Sequence, residues 1–197
     1  MAYHPKLTHK IRVVLADAQM LAVRKLLSKS AADTAFAPGP PLPNSHPKPG
    51  LLAKLLVEIS SLYQSASGIL GPSSSNKLSS KEGAGDTGVS ADIRSYVKNE
   101  GALANALVHK WLGVERGESG RPGEAIAYLS WAAEELGEFR DRLRKLPGIA
   151  SNDKDKADRK GRTADELTIV SLFRDTYERE NNSVSNSTEY YVEILNS

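Results

Sequence analysis

A dense run of ionisable side chains, Glu134, Glu135, Glu138 and Asp141, lies among Arg140, Arg142, Arg144 and Lys145. Paired carboxylates do acid–base chemistry when burial pushes their pKa values apart. Here acids and bases interleave at i, i+4 spacing on a segment whose opposite side is apolar, which predicts a solvated, ion-paired face. The basic members suit anionic lipid, but the neighbouring carboxylates cancel much of that field. The four histidines, His4, His9, His46 and His109, lack the i, i+4 spacing of a helical metal pair and read as surface or half-buried side chains. Gly71 to Lys77 (GPSSSNK) resembles a phosphate loop faintly. It lacks the second glycine, the Ser/Thr after the lysine and a preceding strand. There is no cysteine, which removes thiol nucleophiles, thiolate metal sites and disulfides together. With no nucleophile–base pair in view, the residues point away from an enzyme and call for no metal or cofactor.

Composition narrows the remaining classes. The chain has 197 residues, 40% of them apolar and only 6% aromatic, enough for one core diluted by long connections. Lys plus Arg (26) against Asp plus Glu (24) leaves a net charge of +2, which argues against nucleic acid as a partner. Met1 to Lys10 contains no apolar stretch of the secretory kind, and no segment has the ~18 uninterrupted apolar residues a membrane span needs. A cytoplasmic protein is the expectation.

Five segments carry a helical period, and no convincing strand is found. The first spans about 8–29, with Ile11, Val14, Leu15, Ala18 and Ala22 on one stripe. The second spans about 50–70, with Leu52, Leu55, Leu56, Ile59, Leu62, Tyr63 and Ala66. The third starts at Ser90, an N-cap candidate, and is weakened by Gly101. The fourth lies between Pro122, placed for a first helical turn, and Pro147-Gly148, placed to stop it. The fifth opens on Thr163-Ala-Asp-Glu166, a capping-box pattern, and carries Ile169, Leu172, Phe173 and Tyr177. The connections at 36–50 (proline-rich), 71–89 (Ser/Gly-rich) and 151–162 (mixed charge) bury little and are expected to be mobile. Pro38 to Pro43 also matches the PxxP pattern of SH3 ligands, which an extended proline-rich connector produces easily. The sum is an all-α fold: antiparallel helical hairpins in a short tetratricopeptide-like solenoid with long disordered loops.

The stretch Lys110 to Leu136 (KWLGVERGESGRPGEAIAYLSWAAEEL) sharpens the reading. One helix ends near Leu112-Gly113, and the next opens on Gly123-Glu-Ala-Ile-Ala127 with small residues at Ala127, Ala132 and Ala133. Leu15-Ala-Asp-Ala-Gln19 with Lys25, then Leu51-Leu-Ala-Lys-Leu55, then Gly123 to Leu129 followed by Trp131 to Leu136, resemble in order the second half of a Bro domain. That is the helical module of the ALIX family and its fungal relatives, and the fungal pH-response branch is the nearest in pattern. Glu180-Asn-Asn-Ser-Val184 is similar to the Asn-Asp-x-Val that precedes the family's closing segment. The resemblance covers about Ile11 to Val184, within a partial Bro-like domain expected over 8–184. A divergent tail is expected at 185–197, and nothing in this sequence corresponds to the family's N-terminal half.

The resemblance implies an adaptor, without catalysis, that binds the C-terminal amphipathic helix of an ESCRT-III filament subunit. It would serve fungal ambient-pH signalling or endosomal sorting, peripherally at the endosomal membrane or the cell cortex. The family's groove positions fall on Ala22 and Lys25 of the first helix and on Leu51 and Leu55 of the second; Ala22 replaces a large aromatic anchor. From the residues alone, Leu51 sits about 100° from Leu52 around the helix, at the edge of the apolar arc. Leu51 and Leu55 are therefore either groove or core, and a generic helical-repeat scaffold for another peptide remains the alternative.

Overall fold

The computed structural model describes residues 5–32, 41–70, 90–145 and 153–195, and the described residues contain five α-helices and no strand. They are α1 (Pro5–Ala32), α2 (Pro49–Leu70), α3 (Ala91–Glu118), α4 (Pro122–Lys145) and α5 (Asp153–Leu195). Each helix packs on the next in sequence, and α3 also touches α5. Numbers rise along α2 as they fall along α3: Ser60 donates to Asn105 (2.7 Å), and Tyr63 lies against Gly101. The core is one cluster through all five helices, with Leu52, Leu56, Ile59 and Tyr63 of α2 at its centre. Fully burying such side chains is worth about 1.5–3 kcal/mol each.

Local signals place the boundaries. The Ser90 hydroxyl accepts from Asp92 N (3.1 Å), and Pro122 opens α4, both as the sequence predicts. The expected break at Leu112-Gly113 does not occur. α3 continues to Glu118 and ends on Ser119, whose backbone N–H reaches Glu115 O, with Gly120 in the left-handed region (φ 71°). Gly113 is a packing glycine instead: a Cβ there would meet Leu129 Cγ at 2.8 Å. Gly117 is tighter still, because the buried Tyr177 ring occupies the space a Cβ would need. Close approach thus falls to these glycines with Ala125 and Ala132, while Ala127 is exposed and plays no part in it.

Three further expectations change. The fifth helix begins at Asp153, ten residues before Thr163, so most of 151–162 is helical. Thr163 is buried mid-helix and its hydroxyl donates back to Arg159 O (2.8 Å) in place of capping. The charged run forms helix because Arg159 and Arg162 have partners, Glu100 on α3 and Asp158 one turn back. α5 runs on to Leu195 through the segment read as a tail. Of the connector 36–50, Pro41 to Lys48 is held down: Leu42 packs on the core and the His46 ring lies 5.2 Å from Trp111. Residues 36–40, 71–89 and 151–152, with Leu146 and Pro147-Gly148, lie outside the described residues.

The stripe on α1 is also corrected. The buried residues are Ala16, Met20 and Val23, flanked by Val13 and Leu27, whereas Ile11 (58% exposed), Val14, Leu15, Ala18 and Ala22 face solvent. α1 carries apolar residues on both sides, and α2 covers one of them.

Candidate functional site

Beside its apolar contacts, one carboxylate of α1 ties the helix to α2 and α3. Tyr63 of α2 and Tyr96 of α3 both donate to Asp17 Oδ1, at 2.5 and 2.7 Å. Burial, followed by these bonds to a carboxylate, pushes both phenols above their ordinary range, so each stays a donor. On the outer side of the α1–α2 seam Gln19 donates to Glu58 (3.4 Å). That pairing sets the register, and by helical geometry Ala22 falls level with Leu55 and Leu26 with Leu51.

The four positions carried over from the family sit as follows. Leu51 is 52% exposed, and Ala22 and Lys25 are exposed. Leu55 is half-buried and packs against the core. Leu51 and Leu55 lie one turn apart on α2, on the side facing α1. Lys25 stands about 60° around α1 from Ala22, towards the open face. Leu26, 44% exposed beside Leu51, belongs to the same strip and was missed; its place in an apolar pair, Leu26-Leu27, hid which of the two is buried.

A concavity lies between α1 and α5 over α3, a groove of roughly 200 Å³ with Val23, Leu27, Leu103 and Leu107 among its apolar lining. At one end Glu100, almost fully buried, pairs with Arg159 (2.8 Å). Burial raises its carboxyl above the ordinary range, and Arg159 and Arg24 pull it back. Glu166, which also lines the groove, pairs with the buried Lys110 (2.5 Å). These polar groups answer one another across α3 and α5; they hold α5 in place and leave no nucleophile beside a base. Among the described residues no group of three or more His, Asp or Glu side chains could hold a metal, and no helix is long and apolar enough to cross a membrane.

The ion-paired face expected on α4 is only partly formed. Arg140 approaches Asp141 (3.7 Å), and Glu135 is taken by His109 of α3 (2.8 Å). Among the described residues Glu134 and Glu138 have no ion-pair partner.

The described residues are thus all helical in their regular structure, with exposed apolar strips and paired buried charges. The chain is 34% identical, over 88% of its length, to the pH-response regulator protein palC of Cryptococcus neoformans var. neoformans serotype D (strain B-3501A). The chain is therefore palC-like in sequence over most of its length. It spans 42% of that relative's length. No family model matches the chain, and no solved structure matches it.

Proposed function

We propose that the chain is an adaptor of fungal ambient-pH signalling that binds the C-terminal amphipathic helix of an ESCRT-III filament subunit along the α1–α2 seam. Residues 8–184 are then a partial Bro-like domain whose sequential packing makes a short tetratricopeptide-like solenoid of antiparallel hairpins. Work in the cytoplasm, with peripheral recruitment to an endosomal membrane or the cell cortex through the partner, follows from this reading. The similarity to palC supports the signalling role. The observation that carries the binding site is Leu51, half exposed one turn from the half-buried Leu55. An apolar side chain in that position costs the free protein little and gives a partner helix an anchor. Lys25 supplies a cation at the rim for a carboxylate of the partner.

Calorimetry with a peptide of the ESCRT-III C-terminal helix tests this, comparing wild type with Leu51→Asp after circular dichroism shows the variant folded. Loss of a buried interface leucine is expected to cost ~1–3 kcal/mol, about 5- to 150-fold in affinity. Equal affinity in both moves the surface elsewhere. A second reading, a scaffold for another peptide, is favoured by the groove between α1 and α5. Absence of binding by the wild type would leave that reading standing.

A further inference from the structure

Trp131 on α4 is 51% exposed, and it is not simply a core side chain left over. One face of the indole stacks on the His109 imidazole of α3, with centroids 3.8 Å apart and planes 16° from parallel. Tyr128 stacks on the same imidazole at 6.4 Å, and Glu135 Oε2 accepts from His109 Nδ1 (2.8 Å). The indole is thus braced from beneath by His109, which Tyr128 and Glu135 hold in turn, while about half of it stays open. A large aromatic side chain fixed before binding loses little entropy on contact, which is the property of an interface anchor.

The charges around it say what it suits. Glu134 and Glu138 follow Trp131 at i+3 and i+7, so all three share one face of α4. Both carboxylates are exposed and, among the described residues, have no ion-pair partner. A guanidinium is the group that satisfies both features, because it stacks on an aromatic face and donates to a carboxylate in one plane. An ammonium makes the attraction but not the stacked, forked geometry. We propose that Trp131, Glu134 and Glu138 form a docking site for an arginine-bearing basic segment of a partner protein, separate from the α1–α2 seam.

The full chain is titrated with an acetylated, amidated alanine-based peptide carrying arginine at every fourth position, and with its lysine and glutamine versions. The arginine peptide should bind most tightly and the glutamine version least. Trp131→Ala should weaken binding about tenfold or more with the helical circular dichroism unchanged. The double variant Glu134→Gln, Glu138→Gln should weaken it about threefold or more and flatten its dependence on salt. The proposal is overturned if the wild type ignores the arginine peptide, if Trp131→Ala binds as tightly, or if lysine equals arginine. A wild-type dimer that Trp131→Ala disperses would also overturn it, since the face would then belong to a second copy of the chain.

Discussion

The two ends of the helical array are built differently. Where α3, α4 and α5 meet, packing is closed: Tyr177 occupies the space over Gly117, Leu129 presses on Gly113, and Lys110 and Glu100 are each paired with α5. At α1 one apolar side is closed on α2 while the other remains open, and Asp17 ties the helix down through two tyrosines. Shape sets the first end, and a hydrogen-bonded pin with a shared apolar stripe sets the second. Tolerance to change should therefore differ in kind between them.

The largest effect is expected within α1 itself. Met20→Ala removes a fully buried side chain and should cost about 2–5 kcal/mol in urea unfolding. The neighbouring Leu21, 66% exposed, should tolerate Leu21→Ser within about 0.5 kcal/mol. Equal losses at the two positions would mean that the open side of α1 is covered in solution. At the closed end Gly117→Ala forces the Tyr177 ring aside, an overpacking of about 1–3 kcal/mol. Gly50→Ala meets only the movable carboxylate of Glu115 and should be neutral or stabilising, by up to about 1 kcal/mol from helix propensity. A flat response at both glycines would break the contrast between the ends.

Smaller effects refine it. Tyr63→Phe and Tyr96→Phe should each cost about 1 kcal/mol, and their double mutant should depart from additivity because both bonds end on Asp17. Strict additivity would show that the pin is not shared. The smallest effect concerns Glu100, whose carboxyl is raised above its ordinary value by burial. A raised acid pKa means that the fold favours the protonated form. Its contribution is fully present below the ordinary carboxylate range and is lost as pH rises through the raised value. Glu100→Gln mimics the protonated form, so the variant should gain on the wild type towards neutral pH and match it in acid. Urea midpoints across that range would show it, and parallel curves would mean that Arg159 fully compensates the burial.

Much of the fold was legible because its signals are local. The α2 stripe, the Ser90 cap and the Pro122 start depend on a few adjacent residues, and all appear where the sequence places them. Leu51 as an edge residue was legible in the same way, from its angle on the helix. The errors fell where two local readings were equally good. Gly113 has the composition of a helix end, and Thr163-Ala-Asp-Glu166 that of a helix start, yet α3 passes through the one and α5 through the other. A glycine that admits a neighbour and a glycine that ends a helix look alike until the neighbour is in place.

What the sequence by itself determined is the five helices found among the described residues, their faces wherever one side is apolar, and the similarity to palC. Only the tertiary structure decided which side of α1 is buried. Ile11, Val14 and Leu15 repeat as regularly as Val13, Ala16 and Met20, and periodicity cannot choose between two apolar faces of one helix. It likewise decided that Trp131 stands open on a histidine and that, among the described residues, Glu134 and Glu138 lack the ion-pair partners their spacing suggested. Those outcomes depend on contacts between residues distant in the chain, and no local pattern encodes a distance.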